Sequence, residues 1–289
     1  MEPVLRPARP EDKAAVTAFT QGTFAWGDYV AGRLDEWLAS PDSLTVVAEA
    51  GGQAVGLARG ALLSPAEAWA QGLRVHPDHR RHGVGAALMN HLAAWAASRG
   101  ARVIRLSAEA GNEPGLRLFA RLGYRTVGAY LGAERVVPAA APSPAGNGGK
   151  RVPAPQRLTP APAAEADVAM LAWAGGPLEQ AAHGLFVTRP WTWRRLTLGD
   201  LEAAARRRAL WQAPAGWAVA DRVEDALHVS WLCTHPEEAR VMLRALADLA
   251  AASEAERLEM DVADVDWLRA PLEQAGWQIY PVRVCARAL

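Results

Sequence analysis

The chain has 289 residues, of which 51% are hydrophobic and 21% are charged, so it can bury a sizeable core and does not have the composition of a disordered protein. Lys+Arg and Asp+Glu each total 31, and the resulting net charge of zero disfavours nucleic-acid binding, which needs a basic excess to neutralise phosphates. No apolar run approaches the roughly 18–20 residues of a membrane span, and the N-terminus is polar. Only two cysteines occur, too few for a disulfide framework. We therefore expect a soluble cytoplasmic protein without a membrane partner.

Hydrophobic patterning predicts alternating strands and helices in the first half of the chain. A strand is expected at 4–7, helices at 11–22 and about 30–39, and strands at 45–50, 55–63 and 69–75. Val84, Leu88, Leu92 and Trp95 form a helical apolar stripe, and a strand at 102–108 and a further helix follow it. Because strands 69–75 and 102–108 flank one helix, they should be parallel neighbours.

The chain divides into two halves at a soft segment. Residues 138–155 are rich in Pro, Ala and Gly and lack a hydrophobic period, which predicts an exposed linker between a domain at 1–137 and a domain at 156–289. Three short matches recur in the same order and at a nearly constant offset: Leu5-Arg-Pro-Ala with Leu158-Thr-Pro-Ala, Leu73-Arg-Val-His-Pro with Leu232-Cys-Thr-His-Pro, and Leu122-Gly-Tyr with Ala275-Gly-Trp. We interpret this as a tandem duplication.

The second half repeats the order of predicted elements. Strands are expected at 209–213, 217–220, 227–233 and 282–286, with a further strand marked by Leu258, Met260 and Val262. A helix is expected at about 237–252. Asp261, Asp264 and Asp266 lack the Gly and distal Glu of a calcium loop, and we interpret them as a solvated strand end.

One stretch of the sequence has the pattern of an anion-binding loop. A basic loop follows the predicted strand that ends at Val75, and a helix that begins with Gly83-Val84-Gly85 follows the loop. Backbone N–H groups at a helix start form an anion site, and glycine lets a phosphate approach the backbone closely. Arg80 and Arg81 add positive charge suited to a pyrophosphate.

Two other readings of this loop fit less well. The third glycine of a dinucleotide-binding turn is missing after Gly85. His76, His79 and His82 lie in the loop without an acid or Cys pattern of ligand type, so we expect no metal.

The pattern Arg80-x-x-Gly83-x-Gly85, after a strand that ends Leu73-x-Val75-His-Pro, resembles the acetyl-CoA signature of the GCN5-related N-acetyltransferase (GNAT) superfamily. Asn112, Leu118-Phe119 and Gly123-Tyr124 follow in the order of that family. The resemblance covers about residues 2–136 by motif and 156–289 by pattern only. It implies an α/β fold (an α+β mixed sheet) made of two tandem GNAT-like acyl-CoA N-acyltransferase domains.

The resemblance also implies a site. The main chain of Leu73, Arg74 and Val75 would contact the acetyl-pantetheine arm of acetyl-CoA, and Asn112 and Phe119 would border that arm. The pyrophosphate would be held by Arg80, Arg81, His82, Gly83, Val84, Gly85 and Ala86. The implied reaction is direct attack of a primary amine, on a small-molecule or peptide acceptor, at the thioester of acetyl-CoA.

Two departures from the family pattern affect the catalytic residues. Phe119 stands where the family often has a Tyr that protonates the leaving thiolate, and Gln71 stands where it often has a Glu that relays a proton from the amine. Glu67 is the candidate catalytic residue, acting through water, and Tyr124 is a weaker substitute acid. The alternative function is an acyl-CoA-binding sensor or regulator with little or no turnover.

The second half lacks the phosphate loop. His235-Pro236 passes into Glu237-Glu238 without a glycine pair, and the two acids would repel a pyrophosphate. We therefore predict a degenerate second domain. Because the halves are fused, we expect a monomer in which an internal pair replaces a dimer.

Aromatic residues in two places are candidates for the acceptor site. Trp26, with Asp28 and Tyr29, lies in the segment that bounds the acceptor pocket in the family. Trp191 and Trp193 could form a stacking wall for an acceptor, or could fill the contact between the halves.

Overall fold

A computed structural model describes residues 3–23, 27–138 and 157–289 and shows the expected mixed α/β fold. The strands are β1 (Val4–Pro7), β2 (Ser43–Ala50), β3 (Gln53–Ser64), β4 (Glu67–Val75), β5 (Val103–Glu109), β6 (Arg125–Val136), β7 (Thr159–Pro160), β8 (Leu185–Arg189), β9 (Thr192–Arg195), β10 (Leu210–Ala213), β11 (Gly216–Val223), β12 (Ala226–Cys233), β13 (Arg257–Ala263) and β14 (Gln278–Ala288). The helices are α1 (Lys13–Thr20), α2 (Val30–Ala39), α3 (Val84–Ser98), α4 (Glu113–Arg121), α5 (Ala166–Trp173), α6 (Pro177–Ala182), α7 (Leu198–Arg206), α8 (Ala239–Ala252) and α9 (Asp266–Gln274). Apart from Pro138, the predicted linker 138–155 lies outside the described residues, as does Trp26.

The chain forms two compact units whose limits differ from the predicted domains 1–137 and 156–289. Unit 1 consists of the described residues of Met1–Ala108, Asn112–Thr126 and Cys285–Leu289, and unit 2 of those of Glu109–Gly111 and Val127–Val284. The difference comes from two long strands. Most of β6 pairs with β13 and therefore counts with unit 2, and the end of β14 counts with unit 1.

Unit 1 is a sheet with a hydrophobic core on each face. Its strands lie in the order β1-β2-β3-β4-β5, followed by the last residues of β14. The pair β4–β5 is parallel, which confirms the prediction made from the intervening helix α3. One core lies under α3 and includes Leu88, Leu92 and Ile104. The other lies under α1 and α2 and includes Leu34 and Trp37.

Unit 2 repeats the strand–helix–strand order around α8. Its strands lie in the order β14-β6-β13-β12-β11-β10-β7, and β8 with β9 forms a separate hairpin. The pair β12–β13 is parallel and flanks α8, as β4 and β5 flank α3 in unit 1. None of the described helices is long and apolar enough to cross a membrane.

Candidate functional site

The two parallel strands of unit 1 separate along their length. Parallel pairing of β4 with β5 joins residues 67–69 to 103–105, although the strands continue to Val75 and Glu109. From Ala70 onward β4 is no longer registered on β5. The main chain at the end of β4 therefore borders a gap that an extended ligand can enter as an added strand.

A bulge interrupts the pairing of β4 with β3 next to this stretch. Gln71 lies opposite Arg59 and Arg74 lies opposite Leu57, so β4 has one more residue than β3 over this stretch. The bulge contains Gly72, which has φ +68° and sits where a Cβ would be 2.6 Å from the ring of Trp37. Only glycine satisfies both the backbone angle and the close approach.

The loop after β4 leads into α3 with unused backbone donors. Arg81 has φ +64° and Gly83 has φ +82°, and no side chain caps the helix at Gly83. The N–H of Ala87 makes the first helical bond, to the carbonyl of Gly83. The N–H groups of Val84 to Ala86 therefore have no acceptor four residues earlier within the helix. These donors, at the positive end of the helix dipole, make an anion site of the predicted kind.

Two arginines and a histidine precede these donors in the loop. Arg80, Arg81 and His82 are exposed, and the Nε–H of Arg80 donates to the carbonyl of Val75 at 3.1 Å, leaving the rest of its guanidinium available. Val84 is 2% exposed and its side chain belongs to the core, so only its backbone can contribute to ligand binding. The loop thus combines backbone donors and mobile positive charge, as a diphosphate requires.

Several predicted residues meet at the first turn of α3. A Cβ on Gly85 would lie 3.3 Å from Cδ2 of Leu118 and 3.8 Å from Leu73 Cδ2 and Val75 Cγ2. The end of β4, the start of α3 and helix α4 therefore converge at Gly85. A larger residue there would push the anion loop away from α4.

Asn112 and Phe119 both have structural roles in α4. Asn112 is the N-cap of α4, and its Oδ1 accepts the N–H of Gly115 at 3.1 Å. Phe119 is buried and packs edge-on against Tyr124, with 6.1 Å between ring centroids. That these two residues also border a pantetheine arm stays a prediction.

Tyr124, the substitute acid, lies in the core of unit 1. Its hydroxyl is buried and has no hydrogen-bond partner among the described residues. Burial raises the pKa of Tyr124 to about 12, so the phenol stays protonated at neutral pH. The acid role of Tyr124 stays a prediction.

Glu67 is already engaged in an ion pair. It lies in the part of β4 that pairs with β5, and the Nη1–H of Arg105 donates to its Oε1. Both side chains are mostly buried. The pair explains Glu67 structurally, because a buried carboxylate needs a partner. Proton transfer through Glu67 would compete with Arg105, and the catalytic role stays a prediction.

Arg74 turns away from the anion loop toward the segment before α2. Its Nε–H donates to Asp28 Oδ2 at 2.6 Å, and its guanidinium lies 5.6 Å from the ring centroid of Tyr29. Asp28 is almost fully buried in this pair. Arg74 can therefore offer a ligand its main chain, as predicted, while its side chain anchors the segment that the resemblance assigns to the acceptor side.

The corresponding loop of unit 2 differs in the predicted way. A short 3-10 helix, Pro236–Glu238, leads directly into α8 without a glycine or a left-handed residue. Glu237 and Glu238 lie in this turn. The arrangement offers no close backbone approach to a phosphate, and its charge is unfavourable.

Asp261 and two tryptophans of unit 2 have partners within that unit. The assignment of Asp261 to a solvated strand end is wrong: the residue is 6% exposed, because its side chain lies under the hairpin of β8 and β9 and accepts the N–H of Trp191. Trp193 is fully buried against Tyr130, and Trp191 stacks on Tyr280, so both tryptophans have partners inside unit 2.

Among the residues that the structure describes, no group of three or more His, Cys, Asp or Glu is placed to hold a metal ion.

Comparison with known proteins gives a family match within the first unit and a similar fold for the whole chain. Residues 13–124 match the model of the acetyltransferase (GNAT) family. A GCN5-related N-acetyltransferase from Sphaerobacter thermophilus is similar at a TM-score of 0.66 and 15% identity, covering 99% of this chain and 95% of that one. A GCN5-related N-acetyltransferase from Kribbella flavida is similar at a TM-score of 0.51 and 17% identity, covering 100% of this chain and 72% of that one. At these identities the likeness shows the fold alone. No curated protein sequence matches the chain.

Proposed function

We propose that this chain, whose residues 13–124 match the acetyltransferase (GNAT) family, transfers an acetyl group from acetyl-CoA to a primary amine. The observation that carries the proposal is the loop at 80–86. Backbone donors without a cap, two exposed arginines and the separated strands β4 and β5 occur together there. A coenzyme with a diphosphate and a long amide-containing arm matches all three features.

The residues of unit 1 have distinct tasks in this proposal. The amides at 83–86 and the side chains of Arg80 and Arg81 bind the diphosphate. The main chain of Leu73 to Val75 binds the pantetheine arm in extended form. Asp28 and Arg74 hold the segment before α2 in place on the acceptor side.

The chemistry needs little from side chains. The neutral amine attacks the thioester carbonyl, a C–N bond forms, the C–S bond breaks, and the CoA thiolate leaves while the amine loses a proton. A thiolate is a fair leaving group, so Phe119 in place of an acidic tyrosine slows the reaction without abolishing it. The acceptor is a small-molecule or peptide amine in this proposal.

Calorimetric titration with acetyl-CoA tests the cofactor site without knowledge of the acceptor. Arg80→Ala and Arg81→Ala should each weaken binding about 10-fold, because each removes a charged hydrogen-bond donor. Arg99→Ala, at the opposite end of α3, is the matched control and should keep the wild-type Kd. Equal affinities in all four proteins would contradict the phosphate role of the loop.

A thiol-release assay then tests turnover. Wild-type protein with acetyl-CoA is offered alkylamines, aminoglycosides, peptides with a free N-terminus and lysine peptides. Release with at least one class supports acetyl transfer. Tight binding of acetyl-CoA without release in any class would contradict the enzyme proposal and favour a sensor.

A further inference from the structure

The last carbonyl of β4 is directed into the gap beside that strand. The N–H of His76 donates to the carbonyl of Val55 on β3 at 2.8 Å. Because the N–H and the C=O of one trans peptide point in opposite directions, the C=O of Val75 points away from β3. The strand order β3-β4-β5 places the gap on that side, since pairing of β4 with β5 ends at Trp69. The Val75 carbonyl is therefore an acceptor that an added strand would use.

The side chain of Arg80 occupies this acceptor. Its Nε–H donates to the carbonyl oxygen of Val75 at 3.1 Å. Within the described residues this is the one hydrogen bond that the Arg80 side chain makes, and no carboxylate is paired with it. The side chain is exposed, so it can leave Val75 without uncovering a buried group.

The neighbouring Arg74 shows what a fixed contact of this kind looks like. Its Nη1–H donates to the carbonyl of Leu73 at 3.0 Å, which is also a main-chain acceptor of β4. Asp28 holds the same guanidinium at 2.6 Å, and both side chains are mostly buried. Arg74 therefore cannot leave its carbonyl without breaking an ion pair, whereas Arg80 can.

The guanidinium of Arg80 has a stronger partner when a coenzyme binds. Arg80 lies between the end of β4 and the anion loop that begins α3. A diphosphate oxygen is a better acceptor for an arginine than a neutral carbonyl, because charge-assisted hydrogen bonds are roughly twice as strong. A coenzyme with a diphosphate can therefore draw Arg80 away from Val75 and place an amide N–H of its own arm on the freed carbonyl. A thioester without a diphosphate has to displace Arg80 with no such compensation.

We propose that Arg80 is a specificity-determining residue that reserves the Val75 carbonyl for acyl thioesters that carry a diphosphate. The inference rests on the proposed acetyl-CoA site and adds a coupling between its two parts. Binding of the diphosphate moves Arg80, and this movement opens the edge of β4 to the arm. By thermodynamic linkage, the arm and a diphosphate each raise the affinity for the other by the same factor. Acyl-pantetheine, which lacks the diphosphate, is therefore selected against.

S-acetyl-pantetheine, the neutral arm without its phosphates, tests this role in calorimetric titrations of the full chain. Arg80→Ala frees the Val75 carbonyl, so the variant should bind S-acetyl-pantetheine about 3–10-fold more tightly than wild type while binding acetyl-CoA more weakly. Loss of a charge or of a purely structural contact would not tighten the binding of a neutral ligand. Equal or weaker binding of S-acetyl-pantetheine by Arg80→Ala would overturn the proposal.

Arg81→Ala is the matched comparison. Arg81 is the next residue and is also exposed, but in the described part of the chain its side chain makes no hydrogen bond to β4. The variant should weaken the binding of acetyl-CoA without tightening that of S-acetyl-pantetheine. Equal tightening in both variants would assign the effect to the charge of the loop and overturn the role of the contact between Arg80 and Val75.

Inorganic pyrophosphate gives a second test that needs no substitution in the wild type. At saturating pyrophosphate the wild type should bind S-acetyl-pantetheine about 3–10-fold more tightly, and Arg80→Ala should show no such gain. Failure of both pyrophosphate and acetyl-CoA to bind would refute the proposed function and this inference with it. Normal binding of both without coupling would refute the role of Arg80 alone.

Discussion

Replacing Gly83 with alanine tests whether the backbone conformation at the start of α3 is required to bind the diphosphate of the coenzyme. Gly83 has φ +82°, and a Cβ there would meet no atom within 4 Å, so the substitution adds backbone strain without a clash. The left-handed conformation costs an L-residue about 1–2 kcal/mol. Because the loop is exposed, the substituted residue can leave the left-handed conformation when no ligand is bound. Binding of acetyl-CoA must then restore that conformation. The Kd should therefore rise about 5–30-fold.

Gly52→Ala is the matched control for this strain. Gly52 lies in the turn between β2 and β3, has φ +80°, and a Cβ there would also meet no atom within 4 Å. Gly52→Ala should lower the free energy of unfolding in urea, because its turn between two paired strands keeps the strained conformation; Gly83→Ala should lower it less, because its loop relaxes without ligand, and only Gly83→Ala should bind acetyl-CoA more weakly in calorimetry. An unchanged Kd for Gly83→Ala, or an equal rise for Gly52→Ala, would refute the argument that the loop holds the diphosphate.

Two further substitutions test the energetics of unit 1. Asp12→Asn should lower the free energy of unfolding at pH 7 by about 1.5–3 kcal/mol, because Asp12 is 7% exposed and accepts two hydrogen bonds from Arg6. Those bonds hold the pKa of Asp12 below its usual value. The stabilisation by Asp12 is therefore complete above about pH 4 and is lost as the pH falls through the folded-state pKa. Urea melts that show the same difference in stability between wild type and Asp12→Asn at pH 7 and at about pH 2 would contradict this. Tyr124→Phe should leave the free energy of unfolding unchanged or raise it, because it removes a buried hydroxyl without a partner. A large fall in turnover with unchanged acetyl-CoA affinity would instead identify Tyr124 as the acid that replaces the missing one at Phe119.

The centre of unit 1 could be predicted from the sequence because local patterns determine it. The apolar stripe of α3 and the short apolar runs on either side predict a parallel strand pair, and β4–β5 has that pairing. The glycines and arginines of the loop predict an anion site, and the structure leaves the helix start at Gly83 without a side-chain cap. In both cases the prediction depends only on residues that are neighbours in the sequence.

Strand β6 could not be predicted because its glycines make room for aromatic rings in the folded structure and do not mark a turn. Glycine inside an apolar run favours a turn on sequence grounds. In the structure a Cβ on Gly128 would lie 2.7 Å from the ring of Tyr130, and one on Gly132 would overlap the ring of Tyr280. Both glycines therefore make room for aromatic rings within a regular strand. The contact of Gly132 with Tyr280 involves residues far apart in the chain, which local reasoning does not reach.

The ion pairs around the candidate site have the same origin. Arg74 pairs with Asp28 across 46 positions of the sequence, and Arg105 pairs with Glu67 across 38. No local pattern in the sequence predicts either pair, so the sequence alone presents Glu67 as an available base and does not place the side chain of Arg74. The structure shows both engaged. A search for the base must therefore include water and the acceptor amine itself, alongside Glu67.

The two units show how one topology supports different chemistry. A parallel strand pair flanking one helix separates toward its carboxyl end in both units, so each unit has a gap at the same place in its topology. In unit 1 glycines and arginines at the helix start make the gap suitable for an anionic coenzyme. In unit 2 Glu237 and Glu238 occupy the corresponding turn, where their charge would repel a diphosphate. The residues at the turn after the separated strands, rather than the fold, therefore decide whether a unit can hold an anionic coenzyme.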